Sequence, residues 1–236
     1  MKRQNKTGAA VKLSAVIVIS SMMLGACAKT VQNQEIPAAT YMGGNDTITG
    51  VCKDLDSAGA SHVDTFQEWV ADFADSAGKN AQLQDAWSDP EELKADVGSC
   101  MDGWEQNHDY SDADCRMTAF LLLDGILRAE STEENYEGTY LMFDTEAIDN
   151  VDRYESIKEN KNMFTTLYGE KSVTDGSHPE NTFSDSWKHY GFQVDSDRLS
   201  LLSIVIYDPY SDVVFVGHTG AVSYTHLRAH ETCADL

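Results

Sequence analysis

The chain has 236 residues, with 39 acidic and 17 basic side chains and a formal net charge of −22. So acidic a surface argues against nucleic acid or anionic lipid as its partner, through like-charge repulsion. Hydrophobic residues make up 42 % of the chain, enough for one domain with a real core.

At the N-terminus, Lys2, Arg3, Lys6 and Lys12 precede an apolar run from Leu13 to Leu24. The run is shorter than the roughly 20 residues of a membrane-spanning helix, and Ser14, Ser20 and Ser21 interrupt it. It ends in Leu24-Gly25-Ala26-Cys27, which resembles the lipobox of a bacterial lipoprotein signal. The resemblance implies a signal peptide over 1–26 and a diacylglyceryl thioether on Cys27. Two acyl chains are enough for stable anchoring. The expected location is the extracytoplasmic face of the cell membrane, with the membrane engaged through the lipid on Cys27. Residues 27–40 read as a polar tether with a reach of roughly 20 Å.

Val63, Phe66, Val70 and Phe73 recur at helical spacing and predict a helix over 63–77. Ser61 is its expected N-cap, and Asp64 lies in its first turn, where the helix dipole favours an acid. Asp89 and Pro90 signal a second helix start, with the helix running to about Val97 or on to Trp104. Residues 109–114 form a polar, acidic loop. Its aspartates lack the spacing, glycine and glutamate of a calcium loop. The apolar stretch 115–129 predicts a central buried helix. Residues 151–168 have helical spacing but many charges, which predicts a peripheral helix. A short helix over 181–189 puts Phe183 and Trp187 on one side. Trp69, Trp87, Trp104 and Trp187 read as core or half-buried anchors.

Residues 199–207 are a β-rich run, 208–212 a turn, and 213–216 a second strand leading into Gly217-His218-Thr219-Gly220. Helices first and a β-hairpin at 199–220 after them predict a single α+β domain over 41–220. From Val222 to Thr232 the sequence resembles a translated sequencing adapter. Residues 221–236 are therefore expected to be a foreign tail, and the domain to be truncated at its C-terminus. His226, His230 and Cys233 fall in that tail, so their zinc-like spacing carries no metal expectation. No cofactor is expected.

With Cys27 and Cys233 set aside, Cys52, Cys100 and Cys115 remain. An odd count in an exported protein suggests one disulfide and one free thiol, with Cys52–Cys100 as the expected pair. Such a bridge would contribute about 4 kcal/mol in the chain-entropy model. Three reduced, buried cysteines are the alternative.

Asp114-Cys115-Arg116 sits where the acidic loop enters the apolar helix. A helix N-terminus lowers a thiol's pKa, and its free N–H groups can stabilise an oxyanion. His218 lies far along the chain at a strand end, between Gly217 and Gly220. This order resembles papain-like cysteine peptidases and amidases, including NlpC-type cell-wall peptidases. The resemblance implies Cys115 as nucleophile and His218 as base and then acid. The substrate would be an amide or peptide bond in a peptide or the cell wall. The alternative is a non-catalytic surface or ligand-binding lipoprotein.

A closer resemblance spans about Tyr41 to Gly220. Val63-Asp64-Thr65-Phe66, Cys115-Arg116-Met117-Thr118, Trp187-Lys188 and Phe215-Val216-Gly217-His218-Thr219-Gly220 resemble landmarks of a bacterial lipoprotein family, domain of unknown function 4300. An asparagine often precedes the cysteine there, whereas this chain has Asp114. The family implies no reaction.

Overall fold

In the computed structural model, the residues described are 15–18, 38–81, 83–106, 108–173, 178–225 and 228–232. Cys27 lies outside them, as do His226 and Cys233.

Helix α1 (Asn45–Ala58) buries Ile48, Val51, Cys52 and Leu55 on one face. It stops at Gly59, whose φ of 90° suits a residue without a Cβ. Helix α2 (Val63–Ala81) follows. Ser61 does not cap it; its hydroxyl donates to the Asp124 carbonyl oxygen (2.7 Å) and its N–H to that of Leu122 (2.9 Å). Ser61 therefore ties the start of α2 to the chain beyond the central helix.

Helix α3 (Val97–Trp104) begins later than expected. Asp89 and Pro90 make a turn closed by the Glu92 N–H on the Asp89 carbonyl (2.9 Å). Asp96 is the real cap and accepts from the Ser99 N–H (3.2 Å). Helix α4 (Cys115–Leu122) is the expected central helix, but it does not reach residue 129. The chain turns at Asp124-Gly125, where Gly125 has φ 76°, and continues into strand β2 (Leu127–Arg128).

Helix α5 (Met142–Asn150) has no counterpart in the sequence expectations. The single peripheral helix expected over 151–168 is instead a 3-10 turn (Asp152–Tyr154), α6 (Glu155–Glu159) and α7 (Lys161–Tyr168). It is also not peripheral, since Tyr154, Ile157, Phe164, Leu167 and Tyr168 are core residues. The charges that suggested exposure lie on the other side of these short helices. Strand β3 (Lys171–Ser172), helix α8 (Pro179–Tyr190) and strand β4 (Gln193–Val194) follow. Phe183 of α8 is fully buried, and its Trp187 donates to the Leu167 carbonyl (2.9 Å).

The expected hairpin forms from β5 (Leu199–Asp208) and β6 (Val213–Thr225). Strand β6 runs beyond Gly220, and Ala221, Val222 and Ser223 are buried there. The sheet order is β1-β5-β6-β3, and β7 (Arg228–Thr232) pairs with the far end of β6. Strand β1 is Ala15–Val18, within the stretch expected to be the signal's apolar core, and lies antiparallel to β5. Between Val216 and His218 the hairpin register slips by one residue, leaving Gly217 as the extra residue of a bulge. A Cβ at Gly217 would collide with the Ile206 side chain.

Helix α4 packs on β6 inside the main core, while Ala77, Ala81 and Cys100 form a separate small cluster with Phe73, Leu83 and Ala95. The chain is an α+β protein, helices first and strands later. No described helix is long and apolar enough to cross a membrane.

Candidate functional site

Between α2, α3, the 109–114 loop, α4 and α5 lies a cleft of about 370 Å³. One wall comes from α2, where Phe66, Trp69, Val70 and Phe73 follow i, i+3, i+4, i+7 spacing and so share a face. Trp104 of α3 stands beside Phe73, ring centroids 5.4 Å apart. At the mouth, Tyr110 and Phe143 are exposed and in contact, 5.4 Å between centroids.

The polar part is carboxylate-rich. Asp72, Asp109, Asp112, Asp114 and Asp144 line the cleft, as do Arg116 and Arg153. Asp114 is the N-cap of α4 and accepts from the Met117 N–H (2.9 Å). Its other oxygen meets Arg116 Nη2 at 2.6 Å. The same nitrogen reaches the buried Asp144 (3.1 Å), and Arg116 Nη1 donates to the Val216 carbonyl (3.3 Å). One guanidinium thus joins α4, α5 and β6. Burial holds the Asp114 carboxyl well above the ordinary carboxylate range, and the adjacent Asp144 adds to this against the opposing pull of Arg116. Asp114 therefore retains its proton to a higher pH than an ordinary carboxyl does.

The loop is fixed by its own acids. Asp109 accepts from the Ser111 N–H (2.8 Å), and Asp112 from the Asp109 N–H (3.0 Å). Arg153 then pairs with Asp112 at 2.6 Å. Hydrogen bonds from Ser111 hold Asp109 below the usual carboxylate range, so it stays ionised at the rim. On the α2 side His108 bonds Asp72 (3.0 Å) and the Trp104 carbonyl (3.1 Å). Both ring nitrogens face acceptors, which only the imidazolium satisfies by donating twice. These bonds outweigh the effect of burial and raise its pKa above 6.5.

The sequence-selected residues fall elsewhere. Cys115 is 3 % exposed, and although its neighbours Asp114 and Arg116 line the cleft, Cys115 does not. His218 is half-buried in β6, opposite Ile204, and also does not line the cleft. Its neighbour Thr219 points inward, where its hydroxyl meets that of Ser203 (2.8 Å). Strand alternation assigns His218 to the other face from Thr219.

The expected Cys52–Cys100 disulfide is not present, and both are free, buried thiols. The reason is packing: Cys52 belongs to the main core on α1, whereas Cys100 sits in the small cluster on α3. Burial, then the Asp64 charge, pushes the Cys52 thiol up to about 11, and burial raises that of Cys100. Neither is a reactive thiolate at neutral pH. Among the described residues, no group of three His, Cys, Asp or Glu side chains is placed to hold a metal ion.

Asp144 and Arg153 were not singled out by the sequence, because α5 and the turn after it carry no strong apolar period. Asp109, Asp112 and Asp114 were visible only as an acidic loop.

The sequence profile described as Domain of unknown function (DUF4300) matches residues 40–227. The chain belongs to the DUF4300 family. In this DUF4300 domain the match covers every residue that lines the cleft, and it runs past Gly220 to the end of β6. No curated protein and no solved structure matches the DUF4300 chain.

Proposed function

We propose that the protein is a lipid-anchored, extracytoplasmic binding protein that holds a small organic ligand in the α2–α5 cleft. One observation carries this reading: a cleft of about 370 Å³ with aromatic walls and a few convergent polar groups. Ligand sites have this size and composition. The lipobox-like Leu24-Gly25-Ala26-Cys27 supports the anchor, and the chain's acidity suits an exported domain.

Thiol hydrolysis finds less support. A nucleophile needs a path to its substrate, and Cys115 is buried and is not among the residues that line the cleft.

The test is native mass spectrometry of the protein after incubation with a small-molecule extract of the producing cells. A stoichiometric adduct that Phe143→Ala weakens supports the reading. Absence of any saturable adduct, together with acylation of Cys115 by thioester or peptide probes, overturns it in favour of the hydrolase. Anchoring is tested by fatty-acid incorporation, expected in the wild type and lost in Cys27→Ala.

A further inference from the structure

We infer that the cleft selects an organic cation, an ammonium group carried on an apolar stem. The inference rests on the binding reading above and names the chemistry of its ligand.

The first observation is the aromatic lining. Trp69, Phe73, Trp104, Tyr110 and Phe143 present rings to the cleft. Aromatic faces attract cations electrostatically, and most strongly where water is excluded. The same rings bury the stem.

The second is the charge left over after internal pairing. Arg116 is engaged by Asp114 and Asp144, and Arg153 by Asp112. Both cations of the lining are thus committed, while Asp109 remains an ionised, exposed carboxylate at the mouth. An anionic ligand would meet repulsion from this carboxylate, whereas an ammonium group would gain from it beyond what Arg153 and His108 already supply. The net charge of −22 also raises the local concentration of cations.

The third is that the protein already uses this recognition at the cleft margin. His108 bonds the Asp72 carboxylate while its ring lies on the Trp104 indole, centroids 3.6 Å apart and planes 7° apart. Nearby, the Arg153 guanidinium sits 4.9 Å above the Tyr154 ring centre. An acid on one side and an aromatic face on the other is the environment the cleft offers its ligand.

The experiment titrates the full-length protein with 2-phenylethylammonium, 2-phenylethanol and 3-phenylpropionate at pH 7, reading tryptophan fluorescence and calorimetry. The ammonium probe is expected to bind more than ten-fold tighter than the alcohol, and the carboxylate weakest. Phe143→Ala, at an exposed position that leaves the core intact, is expected to weaken the ammonium about five-fold, in the range of a single cation–π contact. Asp109→Asn is expected to weaken the ammonium and leave the alcohol unchanged. If alcohol and ammonium bind equally, or the carboxylate binds best, the cation inference falls and the binding reading stands. If no probe binds saturably, the cation inference falls, and the extract experiment above decides the binding reading. If binding is tight but indifferent to both substitutions, the cation site is not this cleft.

Discussion

His108 lies flat on Trp104, with its two ring nitrogens bonded to the Trp104 carbonyl and the Asp72 carboxylate. The imidazole thereby closes the C-terminal end of α3 and joins it to α2. A raised folded pKa means that folding takes up a proton. The stabilisation is fully present below the unfolded value of about 6.5 and is lost as pH rises through the higher folded value. Urea unfolding between pH 5 and 9 should show this loss in the wild type and not in His108→Gln. A parallel pH dependence in the two proteins would refute the assignment.

Asp114 gives a second pH dependence. Its folded pKa is raised by burial and by Asp144, so its contribution is present below the ordinary carboxylate pKa of about 4 and is lost as pH rises through the folded value. Asp114→Asn keeps an N-cap acceptor but cannot titrate. The stability of the wild type relative to Asp114→Asn should fall as pH rises from 4 toward neutrality. A difference that stays constant with pH would count against a raised Asp114.

Arg116 is the centre of this cluster. Removing it leaves the carboxylate of Asp144 buried beside Asp114 with no counter-charge. Breaking a buried ion pair on one side costs about 3–5 kcal/mol. Arg116→Met should lower stability by about 3 kcal/mol, measured by chemical unfolding. Combining it with Asp114→Asn and Asp144→Asn should recover part of the loss, since no orphaned charge then remains.

The three internal thiols are predicted to be both reduced and shielded. Alkylation of the unreduced, denatured protein, followed by peptide mapping, should modify Cys52, Cys100 and Cys115. The same reagent should modify none of them in the native state within the time that a small-molecule thiol reacts fully. Recovery of a Cys52–Cys100 linked peptide would overturn this. Fast native labelling of Cys115 would restore the case for thiol chemistry.

Elements with strong local signals were legible in the sequence. The α2 stripe of Phe66, Val70 and Phe73, and the hairpin with its turn at 208–212, follow from apolar period and turn residues. Helix α5 was not, because its face toward the core is small and its charged residues dominate. The broken run 152–168 was misread for the same reason: charges indicate one exposed face and say nothing about the opposite one. The cleft's ion cluster joins residues from α4, α5 and β6, and a contact made across three elements leaves no mark in local sequence. Cys115 drew attention as a helix-start thiol, while its two neighbours in sequence are the residues that face the cleft.

Gly103 sets the approach of α3 to α2. A Cβ there would stand 2.5 Å from the Ser76 carbonyl oxygen, a backbone atom that cannot rotate away. Gly103→Ala should cost about 1–3 kcal/mol through overpacking, and the Trp104 fluorescence should shift before global unfolding. An unchanged Trp104 environment up to the global transition would contradict this.

That order of events follows from the separate cluster of Ala77, Ala81 and Cys100. Ala77 and Ala81 belong to α2 and Cys100 to α3, so this cluster joins the end of α2 to α3 outside the main core, and amide exchange there is expected to be faster than in α4 or β6. The two sides of the cleft therefore differ in kind. Trp69 stands on α2 against the main core, whereas Trp104 ends α3 and stands beside Phe73, which packs on the small cluster. A ligand in the cleft would then be expected to protect the amides of α3 more than those of the sheet, which sits in the main core.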